Sequence, residues 1–158
     1  MGRWLLYGLC APWDAVLVLF ALLVRGLLGH AWQAERGVIW VEFRPAGLAT
    51  RVWRYSITLG HVVLMQPEQP EQVRDHELVH VRQYEAAVCS LWLVLLAWYV
   101  GAQWLPGPLP WVVPLLLGPW WGYFGGSLAA ALRGTRPYLD NPFERHARAE
   151  VDNSIPLD

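Results

Sequence analysis

With 158 residues and a formal net charge of −1, the chain suits one compact domain and carries no basic excess for nucleic acid, so no nucleic-acid partner is expected. Apolar residues make up 55% of it and eleven are tryptophan, a high share for a small soluble domain. All twelve basic residues are arginine, and the two cysteines, Cys10 and Cys89, lie in apolar stretches. That spacing argues against a disulfide framework and a cysteine-ligated zinc and in favour of reduced, packed thiols.

Residues 1–30 are mostly apolar. Asp14, after Pro12 and Trp13, is placed to cap a helix running from Ala15 towards Gly29. Its uninterrupted apolar run, 15–24, is short for a bilayer span and suits a packed helix nearly as well. No small-x-small cleavage site follows, so a retained helix is expected rather than a removed leader. Segments 38–43 and 55–65 are rich in β-branched and aromatic residues, with Gly37, Pro45 and Gly47 as punctuation. They read as two antiparallel strands, the second ending at Pro67. Pro67 and Pro70 then supply a turn, and the sequence is helix-compatible from Glu71 through Trp92 and beyond.

Between Glu85 and Arg133 lie 47 consecutive residues without a charged side chain, six of them tryptophan. Two apolar stretches, 86–105 and 111–132, flank a proline-rich link at 106–110. Each is long enough to cross a hydrocarbon core of about 30 Å as a helix, so an apolar hairpin embedded in lipid is expected. The competing reading is a greasy helical pair in a soluble core. Pro114, Pro119 and the Gly125-Gly126 pair make the second stretch irregular. The expected fold class is α+β, mostly helical, with a small antiparallel sheet before the motif helix, in a single domain over 1–158.

The chemistry concentrates in His76-Glu77-Leu78-Val79-His80. Helix positions i and i+4 share a face, so His76 and His80 can reach one tetrahedral zinc. Glu77, one step round the helix, is then placed as a general base. A polar face with two surface histidines is the plainer reading. A third ligand is needed, and candidates follow the apolar block: Glu144, His146 and Glu150. Asn141 as N-cap and Pro142 at the first position mark a strong helix start, so Glu144 is equally suited to closing a capping box. The end of the chain, 151–158, reads as frayed. His61 is expected to be a satisfied sheet histidine, and Gln83 and Tyr84 to be supporting or packing residues.

The blocks HELVHVRQYE (76–85) and YLDNPFERHA (138–147) resemble the small gluzincin-type zinc metallopeptidases, the minigluzincins, and a group of small bacterial proteins carrying the same two blocks. The resemblance covers about residues 35–85 and 133–150, and its most specific part is the pairing of the two blocks. It implies one Zn2+ per chain held by His76, His80 and Glu144. It also implies Glu77 as general base, a peptide or protein substrate cleaved by a zinc-activated water, and a strand within 56–65 whose edge pairs with that substrate. Tyr138 and His146 are weaker candidates for stabilising the transition state. The long apolar insert departs from the compact family pattern.

Two crossings of the apolar block would return Arg133 to the side of Glu85, as a shared site requires. Arginines cluster on that side (Arg36, Arg44, Arg51, Arg54, Arg74, Arg82, Arg133, Arg136, Arg145, Arg148), which makes it cytoplasmic by the positive-inside tendency. The expectation is a metallopeptidase of the bacterial cytoplasmic membrane in contact with lipid. Its rivals are a non-catalytic zinc-binding interaction or sensory protein, and a purely structural helical protein. The residues give no oligomeric state.

Overall fold

The computed structural model describes residues 2–28, 32–42, 56–102 and 121–154. Among them are helices α1 (Gly2–Leu28), α2 (Glu71–Ala102), α3 (Trp121–Leu132) and α4 (Pro142–Ser154), and strands β1 (Trp32–Glu35), β2 (Val38–Glu42), β3 (Ile57–Leu59) and β4 (Val62–Met65). The described chain is therefore mostly helical, with one small sheet. It divides into two compact units, one of Ala11–Val81 with Ala147–Asp158, the other of Met1–Cys10 with Arg82–His146.

The first unit holds the sheet, in the order β1-β2-β4-β3. β1 and β2 form an antiparallel hairpin closed by Arg36 and Gly37, both at positive φ (54° and 83°), which matches the twist a two-residue hairpin turn needs. β3 and β4 form a second hairpin, turned at Gly60 (φ 63°) and His61. The sheet differs from the sequence expectation in three ways. The segment 55–65 is two strands, because glycine at the turn accepts the positive φ that folds it back. β1 is an additional strand. The pairing of β2 with β4 is parallel, so the sheet is mixed rather than antiparallel. β3 therefore runs opposite to β2, and the hairpin turn at Gly60 returns the chain as β4, parallel to β2.

Register decides which side chains meet α2. Val63 pairs with Trp40 on β2 and with Thr58 on β3, so Trp40, Val63 and Thr58 form one row on one face. Val38, Trp40, Val63 and Met65 make a buried cluster with Val81, and Leu78 packs against it. Leu78 and Val81, three residues apart on α2, thus dock that helix on the sheet. Each such side chain contributes about 1.5–3 kcal/mol when fully buried. One turn earlier, Arg74 lies over the Trp40 ring, 5.5 Å from its centroid, and pairs with Glu42 at 3.4 Å. Trp13, Leu17 and Ala21, four residues apart, form a buried stripe on α1.

Helix α1 begins at Gly2 rather than after Asp14. Leu5, Leu6, Leu9 and Ala11 are strong helix formers that carry the helix through Gly2 and Gly8, and it continues past Pro12. Asp14 is therefore no cap; its carboxylate takes the ring of the buried His61. Helix α4 likewise runs on to Ser154 instead of fraying at Val151. Ala147 is fully buried and Val151 half-buried one turn later, which continues its packed stripe.

In the second unit, the Trp92 indole donates to the Leu9 carbonyl at 3.0 Å. α3 meets the start of α4 across glycine. A Cβ on Gly126 would stand 2.8 Å from Asn141 Oδ1, and one on Gly122 would stand 3.1 Å from the Phe143 ring. Asn141 is fully buried and uses both ends: Nδ2 donates to Tyr123 O (3.1 Å) and Ser127 Oγ (2.8 Å), while Oδ1 accepts Phe143 N–H (2.9 Å). Leu93, Leu96, Val100, Phe124, Leu128 and Leu132 are all exposed. Two helical segments, Gly2–Leu23 and Glu71–Gly101, are long and apolar enough to cross a membrane. The proline-rich link at 106–110 and the first part of the second apolar stretch lie outside the described residues; 121–132 is helical.

Candidate metal centre

Helix α2 opens where expected, with Val73 N–H bonded to the Pro70 carbonyl at 3.0 Å and Glu71 in its first turn. No proline interrupts it, so His76 and His80 stand one turn apart on one face. Their Nε2 atoms lie 3.1 Å apart, with the rings edge to face at 83°. Two nitrogens on one tetrahedral zinc, each about 2.0–2.1 Å from it, sit about 3.3 Å from each other. The pair is therefore already convergent to nearly the separation a shared ion requires. Glu77, beside them, is only 4% exposed. Its Oε2 accepts a short hydrogen bond from the Thr58 hydroxyl on β3. A buried carboxylate needs such a donor, because losing water without one is costly.

Glu144 belongs to the second unit, in the first turn of α4, and is also 4% exposed. Here the capping-box reading can be judged atom by atom. Asn141 caps the helix through Phe143 N–H, but its own N–H donates to the Tyr138 carbonyl at 3.3 Å. The bond that a capping-box glutamate would close is therefore supplied by Tyr138. The Glu144 carboxylate instead accepts from the Tyr123 hydroxyl, Oε1 at 2.8 Å.

The weaker candidates separate. Gln83 donates to the Phe143 carbonyl at 3.0 Å and lies 3.3 Å from His146 Nδ1, so both residues belong to the support of α4. His146 itself is exposed, Tyr138 is 40% exposed in the turn before α4, and Glu150 is half-buried further along it. Tyr84 is buried, as a packing residue should be. In that turn the Arg136 backbone N–H, bonded to the Asp140 carboxylate at 2.9 Å, holds the Asp140 pKa below its ordinary value, aided by the nearby Arg136 and Arg145 charges. His61 is a satisfied histidine, as expected, though in the hairpin turn rather than a strand: its Nδ1 lies 2.7 Å from Asp14 Oδ2.

His76 and His80 each offer a ring nitrogen, and Glu144 a carboxylate oxygen, of the kind a metal ion takes; Cys10, Asp14 and His61 also carry ligating atoms. Two imidazoles and a carboxylate are donors of the type zinc takes. Both cysteines are free thiols. The sequence reading missed Thr58 and Tyr123. Thr58 was detectable only through strand register, and Tyr123 is a lone hydroxyl inside the uncharged block. Comparison of the chain with family models, with curated proteins and with solved structures gives no match.

Proposed function

We propose that the protein is a membrane-associated zinc metallopeptidase in which His76, His80 and Glu144 hold the ion and Glu77 is the general base. The observation that carries this reading is the His76–His80 pair, with Nε2 atoms 3.1 Å apart beside a buried glutamate on the same helix turn. Two further features support it. Glu144 is buried and bonded to Tyr123 rather than spent on a capping box. Gln83, on the same helix as the two histidines, holds the first turn of α4, which carries Glu144. The exposed apolar residues of α2 and α3 support association with lipid, and the arginine distribution supports a cytoplasmic catalytic side.

Zinc, when bound, supplies Lewis acidity towards a scissile carbonyl and lowers the pKa of water. The chain's own residues do the rest. The imidazoles act as neutral nitrogen donors. The Glu77 carboxylate receives a proton from the attacking water and returns it to the leaving amine. In Glu77→Gln the ligands remain but the proton acceptor is gone. We expect that variant to keep one zinc per chain by metal analysis and to lose hydrolysis of fluorescein-labelled casein. Hydrolysis retained at the wild-type rate rules the mechanism out. Zinc retained by an inactive wild type favours the non-catalytic zinc-binding reading.

A further inference from the structure

Glu77 is a general base only if its carboxylate stays in one place. A glutamate side chain has three rotatable bonds, and nothing in the motif itself fixes them. The sheet does. Because Val63 pairs with both Trp40 and Thr58, Thr58 falls on the face of the sheet over which α2 lies. Its hydroxyl is thereby aimed at the motif helix, where it donates to Glu77 Oε2 and stands 3.5 Å from the Glu77 main-chain carbonyl. The donor is neutral and the acceptor a carboxylate, the stronger class of hydrogen bond. Ile57 and Leu59, the other residues of β3, alternate to the opposite face and cannot substitute for it.

We propose that Thr58 is the positioning residue of the general base: its hydroxyl holds the Glu77 carboxylate through Oε2. The inference rests on the metallopeptidase reading and extends it to a second element, since β3 then sets the geometry of the catalytic glutamate. No covalent step is added. Thr58 neither ligates an ion nor gains or loses a proton in the cycle.

Thr58→Val keeps the β-branch and strand propensity and removes only the hydroxyl; Thr58→Ser keeps the hydroxyl and removes only the methyl. The full chain is purified in detergent, loaded with zinc, and assayed on a quenched-fluorescent peptide library and then on one peptide that the wild type cleaves. Thr58→Val is expected to lower kcat by about ten- to a hundredfold, the usual consequence of a reacting group misplaced by about 1 Å. KM and zinc content stay unchanged, Thr58→Ser restores kcat, and Tm falls only by what leaving a buried carboxylate without its donor costs. A merely structural role instead lowers zinc content or raises KM in step with the rate, and that pattern overturns the proposal. So does an unchanged kcat in Thr58→Val, or a loss that serine fails to rescue. A wild type that cleaves no member of the library removes the peptidase reading itself, before any question about Thr58 is put.

Discussion

Two carboxylates and two imidazoles in this protein each have a partner that fixes them. Glu77 is held by Thr58 and Glu144 by Tyr123, both through a hydroxyl, while His76 and His80 face each other. Hydroxyl donors satisfy a buried carboxylate without neutralising it, as an arginine would by forming an ion pair. A ligand carboxylate so held keeps its charge for a cation. In the proposed reading, removing the donor should therefore act on the metal as well as on the fold. We expect Tyr123→Phe to weaken zinc binding by about ten- to a hundredfold, the usual cost of losing a partner that orients a ligand, beyond the loss of stability from leaving a buried carboxylate without its donor. Competition with a chromophoric chelator measures this, and unchanged affinity would exclude Glu144 as a ligand. The histidine spacing and Glu77 were legible directly, because a helix converts a separation of four residues into one face. The orienting hydroxyls were not, because each comes from an element distant in sequence.

The start of α4 is decided by one side chain. Asn141 caps the helix, ties it to α3 through two donors and fits only because position 126 is glycine. Truncating a cap of this kind costs about 0.5–2 kcal/mol, and burying the acceptors it leaves behind adds to that. Asn141→Ala should therefore destabilise the protein by about 2 kcal/mol in denaturant titration, with faster hydrogen exchange in the first turn of α4. A change within experimental scatter would show that the cap is not what sets this helix. Element by element, the sequence was informative where local chemistry rules. The Pro70–Glu71 and Asn141–Pro142 helix starts were both readable as residues. The sheet was less so. Its parallel pairing arises because the β3–β4 hairpin turns back at Gly60 and lays β4 beside β2, and no alternation of residues within β2 or β4 reports which neighbour a strand will choose. The Gly60–His61 turn was written in the sequence as a glycine inside an apolar run, and the continuity of β-branched residues on either side hid it.

For the molecule as a whole, the decisive feature is where apolar surface is left uncovered. Leu93, Leu96 and Val100 on α2 and Phe124, Leu128 and Leu132 on α3 are exposed, although side chains of this type ordinarily fill cores. A surface of this kind is stable only in contact with something as apolar as itself. The 47-residue uncharged run had already marked this region, and composition is sufficient for that purpose. We expect the protein to stay with the membrane fraction after alkaline carbonate washing and to require detergent for release; recovery in the wash supernatant would contradict a membrane-embedded helix. One further consequence belongs to α2. This single helix, without proline over its whole length, carries the histidine pair near one end and the lipid-suited segment towards the other. A helix longer than the bilayer is thick accommodates the mismatch by tilting. In the proposed reading as a membrane metallopeptidase, the height of His76 and His80 above the lipid would then follow acyl-chain length, and bilayer thickness would control which peptide bonds come within reach. Hydrolysis measured in phosphatidylcholine vesicles of increasing acyl length should pass through a maximum, and a flat dependence would uncouple the site from the helix that carries it.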